Sequence, residues 1–377
     1  MRKFYIIIAF ASLFGCKKND NTSVSTNASR DSLSIYMGLA ARESENIEKK
    51  ITYNSKAFEI LKRQTNDSLN REKIFQVATN YFGAKDWKKF KLASDLVLDN
   101  AVQAKDTFNV AKAYRYKAEY YKNLGINDSS YYFYLKAEKL YTKLKDKENL
   151  GRIFLKKGII QFYANDYLGA DISTSQAYNL LRNSSDKEIL YQSISMMGII
   201  SNEMKDYSKA IEKHKEALNL VRQNNLNDEF NQEATCLSNI GNVYQNINQD
   251  KEAISYFQLA LQDESLKNRT PELYSTLIDN LAYSKLKLKD DSNLPALFYR
   301  SLKIRDSLHN LSGVVLSKLH LSEYYAYKED TVKSQDLAEE ALATARKSKT
   351  YSDILASLKQ LSVVDHKNAS QFSKGLH

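Results

Sequence analysis

The sequence predicts an all-α fold, a solenoid of helix–turn–helix repeats of about 40 residues, and three observations predict it. Only 2 of its 377 residues are Pro and 11 are Gly, so the chain is poor in the residues that break helices and build tight hairpins. Charged residues make up 27% and are spread along the whole length, as expected of many amphipathic helices, each with one wet face. Third, small residues recur in two columns that keep one register. The first column reads Gly38, Ala78, Ala118, Gly158, Gly198, Gly241, Asn280, Ser322 and Ser362. The second lies nineteen residues on, at Ala57, Val97, Ala137, Ala177, Ala217 and Ala260, then at Ser301 after two extra residues, then at Ala341. Internal periods of this size mark solenoids, and small residues fit where two helix backbones approach most closely.

The chain begins with a positively charged Met-Arg-Lys, an apolar run from Phe4 to Phe14, and Gly15-Cys16. This is the pattern of a secretory signal, too short to span a bilayer as a helix. Leu13-Phe14-Gly15-Cys16 resembles a bacterial lipobox, with Phe14 departing from the small or aliphatic residue usual at its place. The resemblance implies cleavage after residue 15 and acylation of Cys16. Residues 16–31 are polar, lack a helical period and read as a flexible tether. The expectation is a lipid-anchored protein of the bacterial cell envelope, at its outer membrane.

From residue 32 to 377 the expected solenoid comprises about eight units and an incomplete ninth. A filler column three residues after the small one holds Tyr81, Tyr121, Tyr244, Tyr283 and Tyr325, broken by Gln161 and Ser201. Short polar turns separate the helices of a unit: Ala84-Lys85-Asp86, Asn127-Asp128-Ser129, Asn165-Asp166, Lys205-Asp206, Asn248-Gln249-Asp250 and Asp290-Asp291-Ser292. Asp, Asn and Ser there stop one helix and cap the next. Pro295 sits just inside a helix start, where its missing N–H does no harm. The ninth unit opens with a helix from about Thr350 to Val364 and has room for only about two further turns, which would leave Leu355, Leu358 and Val364 partly open.

These residues resemble the tetratricopeptide repeat. Gly158, Tyr167-Leu-Gly-Ala170 and Ala177 follow its pattern, as do Gly198, Tyr207-Ser-Lys-Ala210 and Ala217, and Gly241, Tyr244, Ala253, Phe257 and Ala260. The period is longer than that family's, and its inter-repeat Pro is missing. The resemblance implies a right-handed α-solenoid whose first helices line a concave groove that holds a protein or peptide. The groove positions it implies are Arg115, Glu119 and Lys122, then Leu155, Ile159 and Phe162, then Ser195, Ile199 and Asn202, then Ser238, Asn242 and Gln245. Amides suit an extended peptide backbone because each both donates and accepts. Arg115 and Lys122 suit carboxylates. Glu119 occupies the place of an Asn in the family's carboxylate clamp, so that clamp is not expected.

Catalytic signatures are missing from the sequence. It contains neither a phosphate loop of the G-x-x-x-x-G-K-[ST] type nor H-E-x-x-H. Its five His are isolated; His214 falls where the sixth unit has Phe257 and reads as ordinary packing. His320 and Glu323 are three apart and read as a surface pair rather than metal ligands. Cys236 in its apolar setting reads as a lone buried thiol. The net charge of +10 accompanies Lys alternating with Asp and Glu, a soluble helix surface rather than a nucleic-acid site. No catalytic activity, cofactor, metal or nucleic acid is expected. The expected role is a membrane-anchored interaction scaffold, with homodimerisation through the C-terminal end left open. The alternative is the sensory portion of a signalling protein, because the start and repeats resemble those of Bacteroidota regulators that continue into a histidine-kinase or DNA-binding module.

Overall fold

The computed structural model describes residues 32–43, 46–226, 231–290 and 292–364. The expected signal segment 1–15, the acylated Cys16, the tether 16–31 and the last short helix all lie outside the described residues. Eighteen helices and no strand are found among those described, and none of the helices is long and apolar enough to cross a membrane. The chain forms an all-α solenoid of helical repeats, in two compact units that divide after residue 185.

The first unit contains α1 (Ser32–Arg42), α2 (Ile47–Leu61), α3 (Ser68–Gly83), α4 (Trp87–Gln103), α5 (Thr107–Asn123), α6 (Asn127–Leu144), α7 (Lys147–Tyr163) and α8 (Tyr167–Leu181). The second contains α9 (Lys187–Glu203), α10 (Tyr207–Asn224), α11 (Gln232–Asn246), α12 (Asp250–Ala260), the single turn α13 (Leu266–Arg269), α14 (Pro271–Lys287), α15 (Leu294–Ser307), α16 (Leu311–Tyr327), α17 (Thr331–Ser348) and α18 (Tyr351–Val364). Within each unit successive helices pack on one another.

Local chemistry sets the helix boundaries. Asp86, Asp106, Asp146, Asp166, Asp186 and Asp206 each cap a helix, accepting a hydrogen bond from the backbone N–H three residues on. Such a cap is worth ~1 kcal/mol. Lys85, Lys105, Lys145, Asn165 and Lys205, just before five of these aspartates, have positive φ. This left-handed residue reverses the chain, and the next residue starts a new helix. The device recurs both within and between repeats, so consecutive helices have similar lengths. Three expected caps are placed differently. Asn127 is already helical, behind Ile126 as an N-cap with no side-chain bond. Asp250 lies inside its helix, behind Gln249. Asn293 in the left-handed region, not Asp290 or Ser292, precedes α15. In each case the helix begins where the φ reversal puts it, whether or not a good acceptor is available. Pro295 lies in the first turn of α15, as expected.

The second column of small residues is buried along its whole length. In the first column the glycines explain the close packing. A Cβ on Gly158 would lie 2.7 Å from Thr174 Cγ2, one on Gly198 2.6 Å from His214 Cε1, and one on Gly241 2.5 Å from Phe257 Cε1. All three opposing side chains lie sixteen residues on, in the second helix of the repeat. The ends of the column differ. Gly38 meets nothing within 4 Å, and Ser362 is only half-buried. Buried Ala40 and Leu361 lie close to these positions instead, and among the described helices α1 and α18 have neighbours on one side only. The aromatic column is also uneven. Tyr81 and Tyr283 are buried. Tyr121 stacks half-exposed on Phe133 and Tyr244 on Tyr256.

Candidate functional site

The first unit places charge on the first helices of its repeats. Arg115, Glu119 and Lys122 lie at i, i+4 and i+7 on α5, one face of a helix. Glu119 is 3% exposed and accepts a 2.5 Å hydrogen bond from the Tyr134 hydroxyl of α6. Burial raises its pKa, but Lys156, Lys122, the Tyr134 hydroxyl and Arg115 together outweigh burial and hold it below the usual carboxylate range. Arg115 and Lys122 are half-buried. Lys156 of α7, which the groove positions did not include, is 5% exposed. Of the apolar groove positions in this unit, Leu155 and Ile159 lie in the interior. Phe162 stays half-exposed between the rings of Tyr163 and Tyr167.

The second unit places amides in the corresponding positions. Ile199 and Ser195 of α9 and Ser238 of α11 are buried. Asn242 accepts a 2.8 Å hydrogen bond from the side-chain amide of Asn280 in α14. Gln245 donates to the Asn280 carbonyl at 3.0 Å and to the Ser284 hydroxyl at 2.8 Å. Asn202 accepts from Asn246 at 3.0 Å. The amides thus bridge first helices of successive repeats, from α9 to α11 and from α11 to α14. Gln245 Oε1 and Asn280 Oδ1 of these amides, and Asn239 Nδ2 and Gln232 Oε1 elsewhere on α11, are buried without a hydrogen-bond partner among the described residues. Buried polar atoms are usually satisfied, so these four stand out from the rest of the interior.

A further polar cluster lies in the same unit. His320 is not a surface residue paired with Glu323, as expected, but is 1% exposed and stacked on Tyr283 with ring centroids 4.1 Å apart. Its Nδ1 lies 2.7 Å from Asp279, which also meets Arg305 at 3.2 Å and the Ser317 hydroxyl at 2.9 Å. Burial alone would raise the Asp279 pKa; Arg305, His320 and Ser317 reverse this and bring it down to about 2. Among the described residues no group of three His, Cys, Asp or Glu is placed to hold a metal ion. His214 is buried as ordinary packing, and burial takes its pKa down to about 3. Cys236 is a buried free thiol whose pKa burial pushes up to about 12.

Sequence reasoning missed Lys156, Asn280 and Asp279 as members of these clusters. A signal for two of them existed. Asn242 and Asn280 are 38 residues apart and Asp279 and His320 are 41 apart. Each separation is one repeat, so matching polar residues one period away would have found the pairs. Lys156 carries no such mark, because the sequence does not give its burial.

Residues 191–262 match the sequence model of the tetratricopeptide repeat. No curated protein matches the chain. Among solved structures, the apo form of the quorum sensor NprR from B. thuringiensis aligns with a TM-score of 0.67 at 12% identity, covering 92% of this chain and 96% of that one. A signal-transduction ATPase with numerous domains and a tetratricopeptide-repeat sensor, from Pyrococcus horikoshii, aligns with a TM-score of 0.64 at 13% identity, covering 93% of this chain and 53% of that one. A Rap protein complexed with Competence and Sporulation Factor aligns with a TM-score of 0.56 at 14% identity, covering 90% and 98%. At these identities the likeness is one of fold.

Proposed function

We propose that this all-α array of tetratricopeptide-type repeats is a receptor for an extended peptide or protein segment, which it holds on the first helices of its repeats. The observation that carries the reading is the amide face of α11 and α14, where buried donor and acceptor atoms have no partner among the described residues. An extended backbone presents alternating N–H and C=O groups and would satisfy them. The fold supports the reading: a Rap protein of this fold is complexed with Competence and Sporulation Factor, and the fold serves as a sensor in the Pyrococcus protein. Cys16, acylated, would tether the receptor to the bacterial envelope at its outer membrane, since more than one acyl chain gives stable attachment. The role is scaffold or sensor rather than catalyst, in keeping with a repeat that generally serves interaction.

Affinity capture from envelope extract tests the receptor. Asn239→Ala removes an amide donor that has no partner among the described residues, so it breaks no hydrogen bond of that donor and should weaken capture in a chain that circular dichroism shows to be folded. Equal capture by the wild type and this variant would move the site off this face. Detergent phase partitioning tests the anchor. Wild type is expected in the detergent phase and Cys16→Ser in the aqueous phase, and an aqueous wild type would remove the anchor from the proposal.

A further inference from the structure

A groove of about 610 Å³ opens in the first unit, lined by one face of α2 together with Tyr36 of α1 and Lys89 of α4. Its size falls within the ~300–1,000 Å³ usual for small-molecule sites. Its apolar wall is made by Tyr36, Ile51 and Ile60, half-buried side chains packed against the core of the unit. The two aliphatic hydroxyls in it have committed their protons to the backbone of α2. Thr52 donates to the Glu48 carbonyl at 2.9 Å and Ser55 to the Ile51 carbonyl at 2.8 Å. Apart from the Tyr36 phenol, the donors that remain for a ligand are the ammonium groups of Lys56 and Lys89. That of Lys56 lies over the Tyr36 ring, 5.2 Å from its centroid, and a ring face leaves the three N–H groups of an ammonium for an anion. That of Lys89 lies 3.5 Å from Asp86. The carboxylate of Glu59, also on the groove, is engaged by Lys62 at 2.6 Å.

We infer that this groove binds a single-chain aliphatic carboxylate, the chemistry of a free fatty acid, with its chain along Tyr36, Ile51 and Ile60 and its carboxylate at Lys56 and Lys89. An aliphatic chain needs no hydrogen bonds and gains by leaving water for an apolar wall. A peptide segment lying there would find no row of donors and acceptors, and would have to keep its N–H and C=O groups turned to water. The two ammonium groups set the sign of the head group, because a charge-assisted hydrogen bond to a carboxylate is about twice as strong as one to a neutral acceptor. The inference stands apart from the peptide-receptor reading, whose amide face belongs to the other unit.

The test is calorimetric titration of the full chain, carrying Cys16→Ser so that no acyl chain of its own competes, with decanoate, decanol, butyrate and acetyl-tri-leucine. Decanoate is expected to bind at least tenfold tighter than decanol, which lacks the charge, and than butyrate, which lacks the tail. Acetyl-tri-leucine has a carboxylate and apolar side chains but also peptide groups, and should be at least tenfold weaker too. Lys56→Gln and Lys89→Gln together should weaken decanoate at least tenfold, with the melting temperature of the free chain unchanged. Lys49→Gln, exposed on α2 and outside the groove, should leave it as it was. Equal binding of decanol or butyrate overturns the inference, as does full affinity in the folded double variant or an equal loss in Lys49→Gln. Tighter binding of acetyl-tri-leucine gives the groove to a peptide, and a ligand-free dimer that the double variant breaks gives it to a second copy; either also overturns the inference.

Discussion

Replacing Gly198 with Ala tests the packing that sets the repeat. The new Cβ would sit 2.6, 2.7 and 2.9 Å from three ring atoms of His214. The ring is 1% exposed between α9 and α10, so it cannot swing out into water. Overpacking a well-filled interior costs ~1–3 kcal/mol. Against this, Ala gains ~1 kcal/mol over Gly inside a helix. The net expectation is a loss of about 1–2 kcal/mol, toward the upper part of the overpacking range because the obstacle is a rigid ring. For a unit of this size that lowers the melting temperature by about 3–6 °C. Thermal unfolding followed by circular dichroism measures it. The same substitution in a His214→Ser background should instead stabilise by up to ~1 kcal/mol, because the ring is gone and only the propensity gain remains. The positions would then match Ala78 and Ser94, the buried residues with the same spacing in α3 and α4. An equal loss in both backgrounds would refute the contact as the cause.

Ala177→Leu and Ala217→Leu, in the second small column, should each destabilise by ~1–3 kcal/mol; unchanged melting temperatures for both would count against the register. Asp279→Asn leaves the Arg305 guanidinium buried without its charge partner and should cost ~3–5 kcal/mol, much of it recovered by adding Arg305→Met; failure of that recovery would show that charge is not what couples them. The same aspartate predicts an acid limb. Its folded pKa of about 2 lies below the ordinary 3.8, so its contribution, roughly 2 kcal/mol, is complete above pH 3.8 and is lost as the pH falls toward 2; Asp279→Asn should flatten stability across that window. Amides of α18 should exchange with solvent faster than those of α9 and α10, because Leu355 is exposed and Leu358 and Val364 are only half-buried; exchange at equal rates would show that the end of the array is covered.

The sequence by itself determined the helical repeat and its period. The responsible interactions are short in range: an Asp side chain bonds a backbone N–H three residues away, and a left-handed residue turns the chain just before it. Ala177 and Ala217 could be assigned to the interior because a small residue every 40 positions has few other uses. The tertiary structure alone decided what the first helices present. Ile159 and Ile199, read as groove positions, have almost no exposed surface, and neither has Lys156, one position outside that pattern. His320 was read as a surface residue and lies inside, against Asp279 of the preceding repeat. Spacing along one helix gives the face on which a residue lies. How much of that face the next repeat covers depends on the distance and rotation between helices about 40 residues apart. Those are set by the summed bulk of the side chains packed between them, and no single stretch of sequence encodes that sum.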